Sequence, residues 1–303
     1  MWICGATGGE CRLGRMKFAR YWVKESGEAM QPDGGRVRTL ARGWSNQSIE
    51  EARQLGRQIA SRLASALASG QIQRGRYLYG ERPLPEPILR EFGNGGDSPA
   101  AVVTRNSYGA LVLNTRDLMF IDIDRDDEKP PEGGLLSSVM SLFRQPELIP
   151  AQPSSRVVAE IQRTAESNRL SLRVYKTAAG YRAVVTSARY EPGSGVSEGL
   201  LKQFGSDPLY MRLCKMQDSF RARVSPKPWR CGEDTPPASY PFTTPQEQAA
   251  FEDWQRRYSA AAAKYATCRY VSSIGGAHID PAFQELIQYH DQETRANSSL
   301  PLA

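Results

Sequence analysis

A chain of 303 residues, 40% hydrophobic and 24% charged, can bury one large core or two smaller ones, which excludes a mini-protein that needs staples to fold. Its 39 Lys/Arg against 33 Asp/Glu leave a net charge of +6, a balance that favours polyanionic partners such as nucleic acid. Five scattered cysteines without a CxxC pair and only two histidines argue against a disulfide framework or zinc site, and the lack of a long apolar run or a leader-like start predicts a cytoplasmic protein with no membrane partner.

Residues 1–15 are glycine-rich and aperiodic and read as a poorly packed extension. From Met16 to Lys24 the spacing of Phe18, Tyr21 and Trp22 predicts a short helix, followed by a Gly/Pro turn over Gln31–Gly35. A longer helix is expected after Ser48, an N-cap supported by Glu51 three residues on; Ile49, Ala52, Leu55, Ile59, Leu63 and Leu67 form its apolar stripe and Gly70 ends it. Arg53, Arg57 and Arg62 lie on its polar side, the pattern of a solvated face. The prolines of YLYGERPLPEPIL (77–89) predict a connector to a further short helix, so residues 16–97 read as an N-terminal helical region.

The core is expected over residues 98–234. AVVTRNSYGALVLN has two β-branched runs around Asn106, Ser107 and Gly109, a hairpin signal. DLMFIDIDRDD (117–127) follows, a short apolar strand whose period of two puts Asp122 and Asp124 on one face. Two like charges so close are costly to bury without a cation. A Mg²⁺ or Mn²⁺ ion on Asp122 and Asp124, with Asp126 or Asp127 as a further ligand, would resolve the conflict; a strand end running into a solvated acidic turn is the plainer reading. Residues 128–153 read as an inserted loop around a short apolar helix, and an amphipathic helix is expected from Ser154 to Asn168.

LSLRVYKTAAGYRAVVTSARY (170–190) reads as a second hairpin around Ala178, Ala179 and Gly180, with Arg173, Lys176 and Arg182 on its strands. Two helices, GVSEGLLKQFG and PLYMRLCKMQD, precede a basic strand, SFRARVSPKPWRC, whose Arg221 and Arg223 share a face before Lys227 and Arg230. Between Leu170 and Arg230 eleven Lys/Arg face four Asp/Glu, so the chain's excess charge is concentrated there. Residues 235–303 read as a C-terminal helical region: a linker, a helix over Gln246–Val271 and another over Pro281–Arg295. His278 and His290 lack partners at metal-binding spacing and read as surface residues.

Taken in order, these elements predict an α+β sheet with helices packed mainly on one side, close to a split βαβ plan, where the acidic pair and the later cations converge. In FIDID and KTAAGYR the chain resembles the catalytic core of archaeo-eukaryotic primases and primase-polymerases, a family with an RRM-like palm, an hhhDhD strand and a small-residue hairpin ending in a phosphate-contacting histidine. The resemblance spans roughly residues 100 to 230. It implies metal-dependent nucleotidyl transfer with Asp122 and Asp124 on the ion, Arg182 in the histidine's place and Asp218 as a candidate third acid. An arginine grips phosphate but does not shuttle a proton at neutral pH. Arg173, Lys176, Arg182, Arg221, Arg223, Lys227 and Arg230 would hold phosphates of a nucleotide or nucleic acid. Two other readings stay open: a non-catalytic single-strand binder, in which Arg173, Tyr175, Arg221 and Arg223 form the surface and Trp229 and Tyr181 stack or pack, and a regulatory protein binding a protein partner.

Overall fold

The computed structural model describes residues 16–71, 83–93, 99–124 and 153–303. The first element is a strand where the sequence pattern predicted a helix: β1 (Tyr21–Met30) turns at Gln31–Gly35 and pairs antiparallel along its whole length with β2 (Arg36–Ser45). Aromatic and β-branched side chains favour the pleated surface, and in β2 Val37, Thr39, Ala41 and Gly43 point inward while Arg36, Arg38 and Leu40 stay exposed. Helix α1 (Ile49–Ala68), capped by Ser48 as expected, lies on this hairpin. Its contact stripe differs from the predicted one. Ala52, Gly56, Ala60, Ala64 and Ala68 are buried, whereas Leu55, Ile59, Leu63 and Leu67 are only half-buried. The cause is close approach: a Cβ on Gly43 would strike the Ala52 carbonyl and one on Gly27 the backbone of Ala60, so only small residues fit between hairpin and helix.

The rest of the described chain builds two four-stranded antiparallel sheets around one shared core. One sheet has the order β3 (Ile88–Phe92), β4 (Ala101–Arg105), β5 (Leu111–Thr115), β9 (Phe220–Arg223); the other has β10 (Cys268–Ile274), β7 (Leu172–Thr177), β8 (Gly180–Val185), β6 (Phe120–Asp124). Phe92, Leu113 and Phe220 from the first and Phe120, Ile121, Leu172 and Val174 from the second belong to the same apolar cluster. Both hairpins and the acidic and basic strands form where expected, but a single sheet does not. Between β5 and β6 the chain bends at Arg116 and Asp117, with the Thr115 hydroxyl donating to the Leu118 carbonyl at 2.6 Å, and consecutive strands enter different sheets.

Two further strands replace predicted helices. β3 follows Pro85 and Pro87, which are tolerated ahead of an edge strand. Helix α5 (Pro245–Ala262) stops well before Val271, and the β-branched and aromatic run after it forms β10 on the edge beside β7. The region from residue 235 onward therefore completes the central sheet instead of only packing on it.

Within the second sheet β6 and β7 are both antiparallel to β8, which lies between them, so they run parallel to each other and are joined through α2 (Pro153–Ser167). This is the split βαβ connection. Val157 and Ile161 of α2 and Phe204, which caps α3 (Gly195–Gln203), meet Ile123 on one face of the sheet. Helix α6 (Gln284–Thr294) meets the opposite face through His290 and Asp291, so helices cover both faces and not mainly one. Helix α4 (Pro208–Gln217) flanks β6, where Tyr210 donates to the Phe120 carbonyl at 2.7 Å. The expected extension at 1–15, the connector segment 77–82 and most of the inserted loop at 128–153 lie outside the described residues. Among the described residues no helix is long and apolar enough to cross a membrane.

Candidate phosphate and nucleic-acid site

Strand β6 sets the geometry. Pairing with β8 places Asp122 opposite Arg182 and Asp124 opposite Gly180, where a Cβ would run into the carbonyl oxygen of Ile123. Glycine is thus needed for the hairpin to close over the end of the acidic strand. Arg182 grips Asp122 with two hydrogen bonds, Nε to Oδ1 at 2.7 Å and Nη2 to Oδ2 at 3.2 Å. The Arg182 side chain is 3% exposed and that of Asp122 is 30% exposed, so the carboxylate keeps one side toward solvent. Burial pulls the Arg182 pKa down, but the Asp122 carboxylate outweighs it and the guanidinium is held above its ordinary range.

Arg182 also reaches across to the other sheet. Its Nη1 donates to the Arg223 carbonyl at 2.8 Å and lies 3.4 Å from His290 Nε2. The other ring nitrogen, Nδ1, faces Asp291 Oδ1 at 3.1 Å; burial pulls the His290 pKa down, but Cys268 and Asp291 outweigh it and hold it above the ordinary imidazole value. Asp291 further accepts from Tyr175 at 2.7 Å and from Arg173 at 2.6 Å, and buried Cys268 lies beside the His290 ring. The result is a continuous chain, buried at its centre and partly exposed at its ends: Asp122, Arg182, His290, Asp291, Tyr175, Arg173. His290 is 1% exposed, which corrects its reading as a surface residue. The signal was available in the helical spacing Ile287, His290, Thr294, all on the buried side of α6.

Charge on the expected residues is now sorted. Arg173 is committed to Asp291 and lies over Tyr270, and Arg221 is buried in a double hydrogen bond to Glu86 at 2.8 and 3.1 Å, so neither offers the sheet surface that the single-strand reading required of it. Lys176 pairs across the hairpin with Tyr181, over whose ring its ammonium sits at 4.5 Å, on the face opposite Arg182. Tyr181 is core. Arg223 differs from all of these. It is half-buried, Nη1 donates to the Ser225 carbonyl at 2.8 Å, and among the described residues no carboxylate forms an ion pair with it. Burial holds its pKa below the ordinary arginine range; the Tyr108 hydroxyl and Asp122 act to raise it, and the charges of Arg182 and Arg230 to lower it. Arg230 likewise has no ion pair among the described residues, and Lys227 lies over Trp229 with Nζ 5.5 Å from the ring centroid.

Asp124 is exposed and lines a hollow of about 270 Å³ between β6, α2 and the end of α3, together with Glu160 and Gln203. The third candidate ligand, Asp126, and Asp127 lie outside the described residues, and Asp218 stands apart as the left-handed cap of α4, paired with Lys17 at 3.4 Å. Among the described residues no group of three or more His, Cys, Asp or Glu is placed to hold a metal. Asp122 keeps a solvent-facing side although Arg182 binds both of its oxygens, and exposed Asp124 lies two residues on; carboxylates of this kind are the donor type that Mg²⁺ takes alongside substrate phosphates. No family model, curated protein or solved structure matches the chain.

Proposed function

We propose that this protein binds a phosphate-bearing ligand, a nucleotide or a single-stranded nucleic acid, where the ends of β6 and β9 meet. The observation that carries this reading is the Arg223 guanidinium, drawn out of water beside Arg182 and Arg230 with no carboxylate partner among the described residues. An anion there would supply the missing counter-charge through charge-assisted hydrogen bonds. Arg182 takes little direct part, because Asp122 already occupies it, and Arg173 and Arg221 take none.

Metal-dependent phosphoryl or nucleotidyl transfer of primase-like type on an RRM-like palm is the second reading. What favours it is the partial exposure of Asp122 beside exposed Asp124 at the end of the split βαβ strand. A Mg²⁺ or Mn²⁺ held there with substrate phosphates would neutralise charge on the transferring group. The chain's own residues orient and clamp: Arg182 fixes the Asp122 carboxylate, and Arg223 and Arg230 grip phosphate oxygens.

Calorimetric titration with nucleoside triphosphate and with a short oligonucleotide, each with and without Mn²⁺ or Mg²⁺, tests both readings. We expect binding that weakens about tenfold or more in Arg223→Ala/Arg230→Ala. Loss of metal-dependent binding in Asp122→Asn/Asp124→Asn selects the catalytic reading. Metal-independent, salt-sensitive binding selects the non-catalytic one, and no binding of either ligand overturns the proposal.

A further inference from the structure

Exposed Trp229 and half-buried Tyr108, beside the guanidinium cluster, bear on what the ligand carries besides phosphate, and the inference rests on the phosphate-site reading above. Trp229 is 52% exposed, although an indole of that size is normally drawn into the core. It is not on a loose loop. It sits in the 3-10 turn Pro228–Arg230, closed by hydrogen bonds from Arg230 and Cys231 back to Lys227 and Pro228 and from Glu233 to Pro228. Its ring is met edge-on by Tyr108, with centroids 5.4 Å apart and planes at 61°.

Tyr108 is itself held in place. The β4–β5 turn is fixed by Asn106 Oδ1, which accepts from the Ala110 amide, and by Arg105, which donates to the Gly109 carbonyl at 2.8 Å. Gly109 has φ +91, and a Cβ there would strike the Trp254 ring, so the turn is pressed against the buried aromatic cluster of α5. Two aromatic side chains on two pinned turns thus border Arg223, Arg230 and Lys227. A preorganised flat apolar surface beside cations is the combination that binds single-stranded nucleic acid, bases on rings and phosphates on guanidinium groups.

We infer that Trp229, braced by Tyr108, is a base-stacking platform, and that the ligand is a nucleobase-bearing single strand and not a bare phosphate ester. The test compares wild type, Trp229→Ala, Trp229→Phe and Tyr108→Ala for binding of an oligothymidylate and of inorganic polyphosphate, which has phosphates and no bases, with Tm as the folding control. We expect Trp229→Ala to weaken oligothymidylate binding roughly 5- to 150-fold, the range for loss of one stacked base, and Trp229→Phe to restore most of it. Polyphosphate binding should be unchanged in Trp229→Ala, and Arg223→Ala/Arg230→Ala should weaken both ligands. Equal oligothymidylate binding by wild type and Trp229→Ala overturns the platform while leaving the phosphate site standing, and makes a protein partner the better occupant of the aromatic surface. Polyphosphate binding without oligothymidylate binding also overturns it. Failure of wild type to bind either ligand removes the phosphate site and the platform together.

Discussion

Two clusters of arginine meet at the junction of the sheets, and they have opposite status. On the β7–β8 face Arg173 and Arg182 are saturated, one by Asp291 and Tyr175, the other by Asp122. At the end of β9, Arg223 and Arg230 have no ion-pair partner among the described residues, although Arg223 is withdrawn from water. Local positive charge in a sequence is therefore a poor guide to a binding surface until internal carboxylates are subtracted. What remains after that subtraction is the surface on which a polyanion can gain free energy.

The sharpest way to break this comparison is to remove one arginine from each cluster. Arg182→Leu leaves a partly buried carboxylate on Asp122 and a lost donor at the Arg223 carbonyl, and should lower unfolding free energy by about 3–5 kcal/mol, measured by urea denaturation. Arg223→Leu breaks no carboxylate pair and should cost under about 1 kcal/mol. Equal losses in the two variants would mean that Arg223 is as saturated as Arg182.

The saturated cluster should also be visible in pH dependence. Burial pushes the Asp291 carboxyl up, but hydrogen bonds from His290 and Tyr175 and the charges of His290 and Arg173 outweigh it, and the group is held below its ordinary value. A depressed folded pKa stabilises fully above the unfolded value of about 3.9 and loses that stabilisation as pH falls through the lower folded value. Asp291→Asn should therefore cost about 2 kcal/mol at pH 7, with the gap to wild type closing below about pH 4. Thermal melts of both proteins across pH 2.5–7 check this, and a gap that stays constant with pH would show that the carboxylate charge is not what holds Arg173 and Tyr175.

Local pattern carried much of the fold. The alternation in VYKTAAGYRAVV and the apolar run into FIDID specify strands whose turn and neighbours are close in sequence, and the Ser48 cap and Gly70 bracket α1. Pairing between distant segments was not legible. Nothing in SFRAR distinguishes a place beside β5 from one beside β6, and β10 was hidden because its YATCRYV run directly follows an alanine-rich helix. The site divides in the same way. Asp122 and Arg182 stand out individually, but their bond joins residues 60 apart, and the contact of His290 with Arg182 joins residues 108 apart. The stripe on α1 failed for a different reason: the glycines that select Ala over Leu as the contact lie on another element.

The smallest expected effect comes from charge that never leaves water. Arg53, Arg57 and Arg62 project from the exposed side of α1, and among the described residues their one ion pair is Arg53–Glu50 at 3.0 Å, between two exposed side chains. Such pairs contribute little, so Arg53→Ala/Arg57→Ala/Arg62→Ala should shift unfolding free energy by about 0.5 kcal/mol or less per site. Its oligonucleotide affinity should stay within about threefold of wild type, and the slope of log affinity against log salt should not change, if the proposed phosphate site lies at the end of β9. In Arg223→Ala/Arg230→Ala the slope should fall by about one unit per lost contact. The two slopes, measured by fluorescence anisotropy over the same salt series, decide between the faces: a reduced slope in the helix variant with an unchanged one in the β9 variant would move the nucleic-acid surface to α1.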